Sequence, residues 1–224
     1  MLPSNARLIY DNPLRSDNDV DDFRMEGEAK VTFPEGKMRM ENVLDPALGQ
    51  QSNFVFWCSE IFPENIAVSW EFRPLREPGL AILFFGAAGM KGEDLFDPKL
   101  NVREGIYKQY HHGDINAYHV GYFRRRYEVE RQFHTCNMRK SYGFNLVCQG
   151  ADPIPDVEDI QEPYQILLTK KNGNIKFFIN ELPIFDWQDD GETWGPLIGS
   201  GRIGFRQMAP LIAEYADFKV YELE

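Results

Sequence analysis

The sequence predicts an all-β protein, a two-sheet antiparallel jelly-roll sandwich of the concanavalin A-like kind with few short helices. Three observations predict it. Short β-prone runs recur along the chain between Gly, Pro, Asn and Asp. One run, Ile66 to Arg73, alternates well between large apolar residues and small or polar ones, with Ala67 among the latter. A third signal, Asn172-Gly173, separates two such runs as a tight hairpin turn does. At 224 residues the chain has the length of one large β-domain, taken as residues 1–224.

The elements follow in order. Phe23 to Phe33 and Lys37 to Met40 read as a hairpin turned at Pro34-Glu35-Gly36. Phe54 to Trp57 reads as a short aromatic strand. In the next run Ile66, Val68, Trp70 and Phe72 want a core, while Ser69, Glu71 and Arg73 take the opposite face. Leu80 to Phe85 is apolar throughout, which predicts a central strand covered on both sides. Tyr164 to Lys170, Ile175 to Ile179 and Leu182 to Trp187 form consecutive strands. Arg202 to Met208 and Glu214 to Leu223 close the domain. Short helical turns are expected at Gly92 to Phe96 and Pro155 to Gln161. From about Lys91 to Gln149 the rhythm breaks into a long polar, aromatic stretch, read as a functional loop region.

Composition narrows the function classes. The formal net charge is -11, so nucleic acid and anionic membrane surfaces are poor partners. No apolar run approaches the ~18 residues that span a bilayer. No signal peptide is visible, and three unpatterned cysteines do not read as a disulfide framework. A cytoplasmic protein is the expectation. Self-association is left open.

All four histidines, His111, His112, His119 and His134, lie in the polar middle stretch. Tyr110, Asn116, Tyr122, Arg139, Lys140 and Tyr142 accompany them. Imidazoles suit proton transfer near neutral pH, and guanidinium forks match carboxylates. The pattern points to an acidic sugar. In it His119 or His134, with Tyr142, would move protons. Arg139 and Lys140 would hold the carboxylate. Tyr110, His111, Asn116 and Tyr122 would bind substrate, Glu71 and Arg73 would line the concave sheet, and Arg206 would reach the same groove. The plain alternative is a solvated charged loop over the sandwich.

Other chemistries lack their signatures. Adjacent His111 and His112 point apart on a strand, and no metal-ligand motif occurs, so no metal ligands are assigned. Asp17, Asp19, Asp21 and Glu28 have the spacing of a calcium loop but lack its glycine and flanking helices; an acidic turn is the preferred reading. No other cofactor is implied. Paired carboxylates, G-x-S-x-G and phosphate-binding glycine loops are missing. Trp70 is assigned to the core, and Trp194 is the tryptophan expected to be exposed.

The segments "DDFRMEGEAKVTF", "IAVSWEFRPLREPGLAILFF", "YHHGDINAYHVGYFRR", "FHTCNMRKSYGFNLV" and "GRIGFRQMAPLIAEYADFKVYEL" resemble the YesU-type family of bacterial proteins of unknown function, in the concanavalin A-like lectin/glucanase superfamily. The resemblance runs over nearly the whole chain. It implies a jelly roll with one concave sheet and a setting in the breakdown of pectin fragments such as rhamnogalacturonan oligosaccharides. It assigns no catalytic residue. The expected function is therefore action on acidic plant oligosaccharides as a lyase or hydrolase. The alternatives are a non-catalytic carbohydrate-binding module or a structural partner of another saccharide-degrading enzyme.

Overall fold

A computed structural model describes residues 2–3 and 5–224. Among the described residues, fifteen strands form two antiparallel sheets. The larger runs β13 (Leu182–Gln188), β12 (Asn174–Ile179), β11 (Tyr164–Lys171), β6 (Ile66–Arg76), β15 (Ile212–Leu223), β4 (Met38–Asn42) and β3 (Ala29–Thr32). β1 (Ala6–Asn12) pairs with the second half of β15. The smaller runs β10 (Asn145–Ala151), β9 (Thr135–Ser141), β8 (Ile115–Tyr122), β7 (Leu80–Gly89), β14 (Arg202–Met208), β5 (Phe54–Trp57) and β2 (Arg24–Glu26).

The alternation of β6 is realised. Ile66, Val68, Trp70 and Phe72 are buried between the sheets, and Ser69, Glu71 and Arg73 are partly exposed on the outer face. The indole of Trp70 donates to the Tyr122 hydroxyl at 3.2 Å, so the polar tips of two core rings satisfy each other. Asn172 and Gly173 turn the β11–β12 hairpin with φ of 50° and 77°, the positive pair that a type I′ turn requires.

The continuous apolar pattern of β7 has a structural cause. Ala81, Leu83 and Phe85 face the core between the sheets. Leu80, Ile82 and Phe84 face outward into a second apolar cluster with Val55, Trp57, Tyr110 and Ile115. Residues 90–112 pass over that outer face and seal it. Fully burying an apolar side chain such as Phe84 is worth about 1.5–3 kcal/mol, so this cluster helps hold the segment on the sheet.

Three expectations change. The first hairpin divides: β3 pairs with β4, but β2 leaves for the other sheet. The break falls at Gly27, whose φ is 85° and where a Cβ would lie 2.5 Å from the Asn53 carbonyl oxygen. The supposed loop region contains β8, β9 and β10, three strands of the smaller sheet, with α1 (Lys108–His111) and α2 (Glu128–Gln132) between or before them. Gly92 to Phe96 forms turns without a helix, and only Val157–Asp159 of the later stretch makes a 3-10 turn.

No helix among the described residues is long and apolar enough to cross a membrane. The acidic N-terminal turn folds on itself: the Asp19 carboxylate accepts from the Arg15 and Ser16 backbone N–H groups, both at 2.9 Å. Among the described residues no three His, Cys, Asp or Glu side chains gather as metal ligands.

Candidate functional site

The outer face of the smaller sheet carries two neighbouring cross-strand rows. One runs Val55, Arg206, Ile82, Gly121 and Asn137. The other runs Trp57, Gly204, Phe84, His119 and Arg139. Apolar side chains fill the β5 end, where the 90–112 segment lies. Polar ones remain toward β9, and there the face opens into a cavity of 180 Å³. Leu80, Ile82, Gly121 and Met208 make its floor with His119. Gln50 and Tyr107 form one wall, Arg124, Tyr127 and Glu130 a second, and Arg139 with Phe144 a third.

His119 is only 1% exposed, and its Nε2 lies 2.6 Å from the Tyr107 hydroxyl oxygen. Its Nδ1 meets no protein partner. Burial, reinforced by the charge of Arg139, drives its pKa well below the usual histidine value, so the ring is neutral. Burial pushes the Tyr107 hydroxyl up to about 12, against the lowering influence of Arg206. Both groups are therefore uncharged at neutral pH and share one proton in the hydrogen bond between them.

The cations around them are unequally paired. Arg124 bonds the buried Glu130 carboxylate at 2.7 Å. Arg139 donates to the Phe144 carbonyl at 2.9 Å and stacks 3.6 Å above the Phe144 ring, without a carboxylate partner. Arg206 is fully buried; it donates to the Gly105 carbonyl at 3.0 Å and the Gln50 Oε1 at 3.1 Å, and its Nε has no partner. Gln50 Oε1 also accepts from the Tyr107 backbone N–H at 3.1 Å. One amide thus fixes Arg206 beneath the wall that carries Tyr107. Desolvation lowers the pKa of both Arg139 and Arg206, yet a guanidinium stays protonated. Two cations without counter-ions beside a cavity make it attractive to an anion.

The residues singled out in the sequence separate into groups. His119 and Arg139 line this cavity. Arg206 lies beneath it, and His111 packs edge-on against Tyr107 at 4.8 Å. Asn116, Lys140 and Tyr142 line a second cleft at the end of β7, β8 and β9. Lys140 there is buried and bonded to Asp189 at 2.6 Å, so it is not free to hold a ligand carboxylate. His134 sits apart, its Nδ1 3.0 Å from Arg125 in a network with Asp152 and Asp156. Glu71 and Arg73 lie on the outer face of the other sheet, where Glu71 accepts from Gln165 at 2.9 Å. Tyr110 and Tyr122 are fully buried, their hydroxyls occupied by the Gly105 N–H and the Trp70 indole.

Sequence reasoning did not single out Gln50, Tyr107, Glu130 or Phe144 as site residues. Gln50 comes from a turn far from the histidine-rich stretch and carries no local signal. Tyr107 stands one helical turn before His111, and that proximity was the available clue.

A family model described as a domain of unknown function (DUF1961) matches residues 7–220. The uncharacterized protein YesU of Bacillus subtilis (strain 168) is 53% identical over 214 residues, spanning 96% of this chain and 95% of that protein. A solved protein of unknown function with a galectin-like fold, from Bacillus subtilis, superposes with a TM-score of 0.94 at 51% identity, over 98% of this chain and 97% of that one. The potassium-bound carbohydrate recognition domain of Emp46p superposes with a TM-score of 0.62 at 14% identity, over 95% of each chain, a likeness of fold. The observed sandwich and the match over nearly its whole length place this chain in the DUF1961 family, alongside YesU.

Proposed function

We propose that the protein acts on acidic oligosaccharides, such as pectin or rhamnogalacturonan fragments, and cleaves them by β-elimination in the cavity of His119 and Tyr107. The observation that carries this reading is a neutral histidine–tyrosine pair 2.6 Å apart, beside two arginines without carboxylate partners. A uronate carboxylate beside Arg139 has its charge neutralised, which acidifies the proton on the adjacent carbon. The Tyr107–His119 pair takes that proton. A carbon–carbon double bond forms as the glycosidic carbon–oxygen bond breaks, and the pair returns the proton to the leaving oxygen. Atoms and charge balance without water or a cofactor.

Hydrolysis fits less well. It uses two carboxylates flanking the bond, and the cavity lining offers one, Glu130, already bonded to Arg124. A cavity of 180 Å³ falls below the roughly 300–1,000 Å³ of sites for larger ligands and suits one sugar residue. The fold shared with a carbohydrate recognition domain agrees with a saccharide ligand.

The test is incubation with uronate-containing pectin oligosaccharides, following ultraviolet absorbance of the unsaturated product. Turnover is expected, and His119→Ala should lower kcat by about 100-fold or more, the scale of general acid–base catalysis. Binding by calorimetry with no product from any acidic oligosaccharide would replace the enzyme with a carbohydrate-binding module.

A further inference from the structure

The second cleft, 650 Å³ in volume, differs in chemistry from the first. Among the described residues its only charged lining side chain is Lys140, which is neutralised by Asp189 at 2.6 Å and donates to the Gly195 carbonyl at 2.7 Å. The remaining lining is glycine and small or apolar side chains, with Asn116, Ser141, Tyr142 and Trp194. Trp194 is 42% exposed and Tyr142 49% exposed, large rings left open on a concave wall. Ser141 is 2% exposed, and its buried hydroxyl has no partner in the protein. Aromatic faces with a few uncharged polar groups, and no free charge, are what a neutral sugar ring requires.

The backbone that carries Trp194 and the ring of Tyr142 are both held in place. The loop bearing Trp194 is anchored by Asp189, 2% exposed, whose carboxylate takes Lys140, the Tyr118 hydroxyl and the Gly191 N–H. Asp190 then accepts from the Glu192 and Thr193 N–H groups at 2.9 Å, fixing the turn that presents the indole. Tyr142 rests against His112, with ring centroids 5.5 Å apart. Ordering the turn and the tyrosine ring before binding lowers an entropic cost that a ligand would otherwise meet.

We infer that this cleft is a second saccharide site, specific for a neutral pyranose, with Trp194 and Tyr142 as stacking platforms and Ser141 and Asn116 as polar contacts. It extends the oligosaccharide reading to a new place and stands without the elimination chemistry. A run of rings links the two: Tyr142 to His112, His112 to His111 at 4.6 Å, His111 to Phe144 at 4.8 Å and Phe144 to Tyr107 at 5.5 Å. A chain with one acidic and one neutral residue would find a place for each.

Calorimetry with two uncharged probes, a galactan tetrasaccharide and a glucan tetrasaccharide, tests the site. At least one should bind saturably. Trp194→Ala should weaken it about tenfold or more and Trp194→Phe should largely restore it. Circular dichroism checks that each variant is folded. No binding of either probe at millimolar concentration, or equal binding by folded Trp194→Ala, overturns the inference. Loss of elimination activity with neutral-sugar binding intact counts against the first cavity alone.

Discussion

Replacing Arg139 with Met isolates the charge that the acidic-sugar reading needs. The methionine keeps an unbranched stem against the Phe144 ring and removes the guanidinium now stacked 3.6 Å above it. Two unit charges about 4 Å apart interact by roughly 4 kcal/mol at the effective dielectric of a partly buried site. Desolvating the ligand carboxylate and screening by salt offset about half of that. About 2 kcal/mol remains, or roughly 30-fold in affinity. Binding is not abolished, because Arg206 stays beneath the cavity. The assay compares a galacturonate oligosaccharide with the same chain after carboxyl reduction, by calorimetry. The acidic ligand should weaken about 30-fold and the neutral one hardly at all. Arg139→Lys should fall between, since a point charge keeps the attraction but loses the planar fork. Equal losses for both ligands would mean that Arg139 shapes the wall and does not read charge.

Two further outcomes concern stability. Asp152→Ala strands the Arg125 guanidinium, whose ion pair at 2.9 Å has no solvent exposure on either side. Breaking such a pair costs about 3–5 kcal/mol, or roughly 6–20 °C in Tm for a chain of this size. Calorimetry showing a drop under about 3 °C would mean that Asp156, 3.8 Å away, already offsets that charge. The second outcome is acid sensitivity. Burial holds His119 far below, and His111 at about 4 against, an ordinary value of 6.5. As pH falls from 6.5 toward 4 the unfolded chain takes up protons that the folded chain refuses, so stability falls across that window. Urea midpoints measured across it should decline, and the decline should be shallower in His111→Gln. A flat profile would contradict the burial of His119 and the partial burial of His111.

Period-two patterning was legible wherever one strand face meets a core and the other meets water. β6 and the β11–β12 hairpin were readable for that reason, and the doubly covered β7 announced itself by lacking polar positions. The same logic misjudged β8 and β9. Their inward residues, Tyr118, Val120 and Tyr122, then Cys136 and Met138, alternate as a strand should. Their outward residues, His119, Asn137 and Arg139, line the cavity, so the segment looked like a polar loop. Alternation also states which side of a strand a residue takes, but not which sheet the strand joins. Glu71 and Arg73 were placed on the correct face of β6, and that face belongs to the sheet opposite His119. Tyr110 and Tyr122 carry polar tips that signalled a site, and both tips are satisfied inside the protein.

The acidic chain and its anion-seeking cavity are reconciled by distance. A net charge of -11 acts over the surface and is damped within about 8–10 Å by physiological salt. Under the proposed function, a ligand carboxylate inside the cavity would meet Arg139 at contact range, with Arg206 below and Glu130 already held by Arg124. The local sign there is positive, and low solvent access makes it count for more than the distant surface charge. The β9–β10 turn ties this to the second cleft. Arg139 and Tyr142 are three residues apart on it, and the Gly143 N–H donates to the His111 carbonyl at 2.6 Å. One rigid hairpin thereby sets the spacing between a charged subsite and an aromatic one. On the proposed two-site reading, that spacing would select for the length and order of the sugars in a ligand, which neither cleft would do alone.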